Sequence, residues 1–356
     1  MRVLLLGDFS GFHSALAAGL RALGNYVTLA SSGDGWKRMP TEMHIGPKSN
    51  SVYDRIRWRI DYYNFLINDV VGYDIVQLIN PFVLPCRLFP VNKIISSLKR
   101  SNGKIFLSAC GSDSFYWANA APALPYGPFD DVIQIDNDAH ESFYQTPRAL
   151  AHNRLLADSV NGIIPVMYDY QLSYRDHPKV GPIIPLPLNL SDINSTPLEK
   201  TENLVFFHGL SRPGFKGSRY IERAFQIISN RYPSQVKCII STQKPYREYL
   251  KLVEDVHVIV DQVNSFSYGM NALLGLAMGK VVMSGAEPEA IRALNVPDCP
   301  IINIRPSVEW IVQEMEILIN KRSKMSMLQS MGPNFVRLHH EATLIASRYQ
   351  NSWLSA

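Results

Sequence analysis

At 356 residues the chain exceeds what one hydrophobic core organises, which predicts two domains. Its 46% hydrophobic and 19% charged residues, with a mean hydropathy of −0.05, are the composition of a water-soluble globular protein. The net charge of +4 excludes a protein that coats a polyanion, and fits anionic small molecules or an anionic membrane surface.

The opening residues, MRVLLLGDF, hold an apolar run too short for a signal peptide and predict a first β-strand over 2–6. Next, GFHSALAAGLRALG spaces Phe12, Leu16, Leu20 and Leu23 as a helix does, with Gly24 as its stop. YVTLA (26–30), DIVQLI (74–79), KIFLSA (104–109), GIIPVM (162–167) and GPIIPL (181–186) read as further strands. PLPLNLSDINSTPLEKTEN (185–203) has no periodicity and is rich in Pro, Asn and Ser, which marks a linker. A second series follows, with strands at LVFFHG (204–209), VKCIIST (236–242), VHVIVDQ (256–262), KVVMSG (280–285) and PIINI (300–304). Helices are expected between them from about 217, near 245–252, from about 268 and after Glu287, and the last helix over about 334–352.

Strands alternating with helices imply parallel sheets with right-handed crossovers. The expected architecture is α/β, two doubly wound Rossmann-like domains facing a cleft. The boundaries are 1–188 for the first domain, 189–202 for the linker and 203–333 for the second, with the final helix (about 334–356) returning to the first. Cys86, Cys110, Cys238 and Cys299 are scattered without a CxxC pair, which predicts buried thiols in a reducing compartment. No segment reaches the roughly 18 apolar residues of a spanning helix, so the expectation is a cytoplasmic protein.

The stretch HGLSRPGFKGSRYIERAF (208–225) runs from strand to loop to helix, with Arg212 and Lys216 among Gly209, Gly214 and Gly217. Glycines and cations where a strand hands over to a helix favour an anion, and the alternative is solvated loop charge. Gly209, Lys216-Gly217 and the inward Ala224-Phe225 resemble the family-four glycosyltransferases of the GT-B fold. FSYGMNALLGLAMGKVVMSG (266–285) resembles a second motif of that family, with Tyr268-Gly269, Ala277, Gly279 and Val282 in register. Both glutamates of that motif are replaced, by Phe266 and Leu274. FLSACGSDSFYW (106–117) resembles the family's His-Gly-x-Asp loop through Gly111 and Asp113, with Cys110 at the His position.

The resemblance implies that Lys216, and Arg212 as a displaced counterpart of the family's Arg, hold the diphosphate of a UDP- or GDP-linked sugar. Gly11, Gly209, Gly217, Gln262, Tyr268, Gly269, Asn271 and Glu289 are the donor-side candidates, and His13 and Asp113 lie on the acceptor side. Asp113 is either an acceptor-side carboxylate or an Asx turn or helix cap. Asp130-Asp131 is set aside as distant from these motifs, so no metal and no cofactor are expected. YDRIRWRIDYYNFL (53–66) alternates arginines with Trp58, Tyr62, Tyr63 and Phe65; it is either an ordinary surface helix or a peripheral contact with the inner face of a membrane. No nucleic-acid module appears.

The activity implied is sugar transfer to a glycan or lipid-linked glycan in cell-surface polysaccharide synthesis, with retention. A GT-B-shaped scaffold without catalysis is the alternative. An NAD-dependent oxidoreductase, which Gly7, Gly11 and Asp34 would have to serve, is disfavoured because the spacing is not G-x-G-x-x-G.

Overall fold

A computed structural model describes all residues except 50, 86–88, 137–138, 192 and 194–202, so Cys86 and most of the expected linker lie outside the described residues. The chain divides into two compact units. Unit 1 comprises Met1–Ala120, Ser142–Pro187 and Ala342–Ala356, and unit 2 comprises Ala121–Glu141 and Leu188–Glu341.

Unit 1 is built on six strands: β1 (Arg2–Leu6), β2 (Tyr26–Ser31), β3 (Met43–His44), β4 (Ile75–Leu78), β5 (Lys104–Ala109) and β6 (Gly162–Pro165). They pair in the order β3-β2-β1-β4-β5-β6, all parallel. Strands buried on both faces read as continuous apolar runs, which is why RVLLL and KIFLSA are recognisable in the sequence. Unit 2 adds β7 (Leu204–Gly209), β8 (Val236–Ser241), β9 (Val258–Val260), β10 (Val281–Ser284) and β11 (Ile302–Asn303), ordered β11-β10-β9-β7-β8 and again parallel.

Three expectations need correction. GPIIPL is extended but is not a strand. Pro182 and Pro185 have no N–H to give, while Gly181 and Ile184 donate to β6, to Ile163 O and Pro165 O at 2.9 and 3.0 Å. The single final helix is two, Arg322–His339 and Ala342–Ser355. Between them the backbone leaves the helix to bridge Leu188, whose N–H meets His340 O at 2.6 Å. Lastly, residues 121–141 belong to unit 2 although they lie within the first half of the chain.

Ala342–Ser355 completes unit 1 by lying along the Phe12–Ala22 helix. The two come so close that a Cβ on Gly19 would sit 2.1 Å from Ala342 O, so only glycine fits at that crossing. Trp353 anchors the helix. It is fully buried, its Nε1–H donates to Gln77 Oε1 at 2.9 Å, and Gln77 in turn donates to Ser108 Oγ at 2.9 Å. Among the described residues no helix is long and apolar enough to cross a membrane.

Candidate functional site

In an open parallel sheet, ligands bind beyond the carboxyl ends of strands at the point where the strand order reverses. In unit 2 that point lies between β7 and β9, whose following loops (210–217 and 261–269) lead to helices on opposite sides of the sheet order. The two loops are laced together. Val263 N–H donates to Lys216 O at 2.9 Å, and Asn264 Nδ2 donates to Gly214 O at 3.0 Å. Gly217 makes the closeness feasible, with φ at 70° and a would-be Cβ 2.4 Å from Val263 Cγ2. Gly217→Ala is therefore expected to cost about 1–3 kcal/mol through left-handed strain and that clash, read as a lower urea midpoint of unit 2.

Lys216 extends to the β9 loop. Its Nζ donates to Asp261 Oδ1 at 2.9 Å and to Gly209 O at 3.1 Å. Asn271 Nδ2 donates to the same Asp261 oxygen at 2.7 Å, and the Tyr249 hydroxyl donates to Asn271 Oδ1. Burial pushes the Tyr249 hydroxyl well up, so it stays protonated as that donor. Lys216, Gly209, Asn271 and Gly217 are thus brought together, with Asp261 as the countercharge. Gly269 caps the Met270–Ala277 helix and faces open space, since a Cβ there would meet nothing within 4 Å.

Other sequence candidates have different surroundings. The Gln262 side chain holds its own loop through Ser267 O at 2.9 Å. Tyr268 is buried, with its hydroxyl 3.0 Å from His340 Nε2. Glu289 is exposed and 3.7 Å from Arg292. The buried acid of that segment is Glu287, gripped by Arg305 at 2.6 and 2.7 Å and by the Tyr126 hydroxyl at 2.7 Å.

Arg212 pairs with Glu141 at 2.8 Å and lies 4.3 Å from the Phe215 ring centre. Asp131 is not distant from these motifs. Its carboxylate takes Arg219 at 2.7 and 3.1 Å and Asn264 at 3.1 Å. Proximity along the chain did not reveal this, because the partners are 88 and 133 residues apart.

Sequence reasoning also missed His208. Its Nδ1 lies 2.7 Å from Val260 O and its Nε2 2.7 Å from Ser218 Oγ, tying β7 to β9 and to the Ser218–Arg231 helix. Burial, then the Lys216 charge, lowers its pKa to about 4. The available signal was a polar residue inside the apolar run LVFFHG.

In unit 1, Gly11 takes φ 81° ahead of the Phe12–Ala22 helix. That helix start is occupied by the chain itself: Asp8 accepts the His13 N–H at 2.9 Å and the Ser14 hydroxyl at 2.5 Å. Burial pushes the Asp8 carboxyl up to about 6. Buried His13 bonds Gly7 O at 2.7 Å through Nδ1, while its Nε2 has no partner. Burial lowers its pKa to about 3. Asp113, also buried, accepts the Tyr116 N–H at 2.8 Å and the Tyr174 hydroxyl at 2.5 Å, so it caps the turn that follows. Asp34 accepts the Ser10 N–H at 2.8 Å and pairs with Lys37.

The Val52–Asn64 helix turns its aromatics differently from the expectation. Tyr62 is buried with its hydroxyl on Val83 O at 2.9 Å, Trp58 donates to Ile45 O, and Tyr63 stacks on Phe89. What it exposes is Val52, Tyr53, Ile56 and Ile60, among Arg55, Arg57 and Arg59.

No family model and no curated protein sequence matches the chain. Solved structures do match over its whole length. A sucrose-phosphate synthase from Thermosynechococcus elongatus superposes with a TM-score of 0.61 at 13% identity, covering 100% of both chains. HepE from Anabaena in complex with UDP gives 0.62 at 10% identity, again over 100% of both. WaaG, a glycosyltransferase involved in lipopolysaccharide biosynthesis, gives 0.60 at 11% identity over 98% of each. The fold is GT-B.

Proposed function

We propose that the protein is a glycosyltransferase that moves a sugar from a nucleoside-diphosphate sugar to a hydroxyl of a glycan or lipid-linked glycan. The observation that carries this reading is Lys216, held at the strand-order reversal of unit 2 on a glycine-shaped loop opposite the open Gly269 helix start. Its likeness in fold to HepE, which was solved with UDP, supports the same donor class.

In this reading Lys216 and Arg212 neutralise the leaving diphosphate as the sugar–phosphate bond breaks, the main catalytic contribution that fixed cations make. Gly209, Gly217 and Gly269 let the donor approach the backbone, and Asn271 hydrogen-bonds it where the family's glutamates would. Gln262, Tyr268 and Glu289 shape or border the donor loops, and Gly11, His13 and Asp113 belong to unit 1, the acceptor half. Retention, independence of metal and a role in cell-surface polysaccharide synthesis follow from the family-four resemblance. The exposed Val52, Tyr53, Ile56 and Ile60 with their arginines fit a peripheral contact at an anionic cytoplasmic leaflet.

The test is calorimetric titration with UDP and GDP, followed by donor hydrolysis. One nucleotide is expected to bind, and Lys216→Ala to weaken it roughly 10- to 100-fold, the worth of one charge-assisted phosphate contact. Binding without turnover would instead favour a scaffold subunit, a second reading supported by Phe266 and Leu274 at the glutamate positions and by the Asp261 countercharge on Lys216. Affinity for NAD in place of both nucleotides would overturn the assignment.

A further inference from the structure

Glu141 and Asp136 place two carboxylates on the basic loop that follows β7, and Asp131 places a third on the helix after it. Glu141, nearly fully buried, takes the Arg212 guanidinium at 2.8 Å. Asp136 spreads its two oxygens over the N–H groups of Gly214 and Phe215, at 2.8 and 3.0 Å. Asp131 pairs with Arg219 at 2.7 Å and reaches Asn264 at 3.1 Å. The main chains touch as well, since a Cβ on Gly214 would lie 2.4 Å from Asp131 O. The Arg212 side chain nevertheless keeps 42% of its surface open, so an incoming anion can reach the guanidinium that Glu141 holds.

The donors engaged by Glu141 and Asp136 are a guanidinium and a pair of adjacent amides. A carboxylate uses that set with two oxygens and a single negative charge. A diphosphate brings more oxygens and more charge to the same donors, so the two compete. We propose that the 129–141 segment is an acidic latch, an internal counter-anion that holds the basic loop until a diphosphate-bearing ligand displaces Glu141 and Asp136. The choice of a diphosphate as ligand rests on the donor reading above. Neutralising the latch should therefore tighten anion binding, whereas neutralising a merely structural strap would leave it unchanged or weaken it.

The experiment is calorimetric titration of the full chain with inorganic pyrophosphate, UDP and GDP, on the parent and on Asp136→Asn and Glu141→Gln. Each substitution removes charge but keeps a hydrogen-bonding oxygen. Pyrophosphate is expected to bind both variants about tenfold more tightly than the parent. Unchanged or weaker binding in variants that melt cooperatively would overturn the latch, as would a parent and variants that ignore pyrophosphate altogether. Hydrogen exchange on the unmutated chain gives a second reading that does not depend on the variants folding. Pyrophosphate should speed exchange of the described 129–141 amides, and slower or unaltered exchange speaks against displacement. Pyrophosphate tightened by the variants, with neither nucleotide bound by any form, would keep the latch and sink the transferase assignment. Nucleotide bound equally by parent and variants would do the reverse.

Discussion

Trp353→Ala is expected to destabilise unit 1 by about 3–5 kcal/mol, among the largest effects of any single substitution in the chain. The indole is fully buried between Phe106 and Tyr349, with ring centres at 6.4 and 5.7 Å, so its removal leaves a cavity the neighbours cannot fill. It also strands Gln77 Oε1, which accepts the indole N–H inside the sheet layer. An unsatisfied buried acceptor adds roughly 1–3 kcal/mol to a simple cavity cost. For a unit of this size the melting temperature should fall by roughly 10 °C. Trp353→Phe keeps most of the volume and loses only the hydrogen bond, and should fall between the two. A drop of under 2 °C for the alanine variant would mean that Ala342–Ser355 contributes little to unit 1.

Acid should weaken unit 2 more than unit 1. Each unit buries a neutral histidine, His208 with a pKa near 4 and His13 near 3. Unfolded imidazole titrates near 6.5, so above that pH neither state binds the proton and the stability is fully present. As pH falls below 6.5, the unfolded chain takes up a proton that the folded chain refuses, and stability drops until the folded pKa is reached. At pH 4 this amounts to about 3 kcal/mol for His208 and a similar figure for His13, at 1.36 kcal/mol per pH unit.

In unit 1, Asp8 opposes the loss at His13, while His152, whose pKa burial also lowers, adds to it. The folded pKa of Asp8, about 6, lies above the unfolded value, so the folded state takes its proton first as pH falls from 6 toward 4 and recovers most of what His13 gives up. Unit 2 has no such offset at His208. There Glu287, although burial pushes its carboxyl up, is held below the usual range by Arg305, Tyr126 and Asn303, which adds to the loss at low pH. Urea unfolding followed by hydrogen exchange between pH 7 and 4 should show β7 and β9 losing protection while β1 and β4 keep theirs. Equal loss in both sheets would contradict this charge balance, and His208→Asn should flatten the unit 2 profile.

Most strands and both α/β units follow from features visible in the residues, because a buried parallel strand is an uninterrupted apolar run, whereas their order in the sheets does not. The reading failed where a run carried prolines at 182 and 185, since hydropathy does not register a missing N–H. The basic loop was legible for a related reason. Gly209, Gly214 and Gly217 have backbone demands that leave a mark in spacing, and Lys216 sits within them. Its acidic partners were not legible. Glu141 and Asp136 lie 71 and 78 residues before the groups they hold, and no local period connects such distances. His208 escaped notice because a hydrogen-bonded polar residue in a core strand has no pattern of its own. The face of the Val52–Asn64 helix was not legible because Trp58 and Tyr62 pack inward while Tyr53 and the aliphatics Val52, Ile56 and Ile60 face outward.

The return of residues 342–355 to unit 1 also fixes the order in which the chain matures during synthesis. Unit 2 has all its parts once Glu341 has left the ribosome, although it begins later in the sequence. Unit 1 emerges first and must wait, with the Phe12–Ala22 helix lacking its partner until residues 342–355 are translated. Domains that fold as they emerge are ordinarily finished from the N-terminus onward. Here unit 1, which begins first, is completed after unit 2, when residues 342–355 cover the Phe12–Ala22 helix.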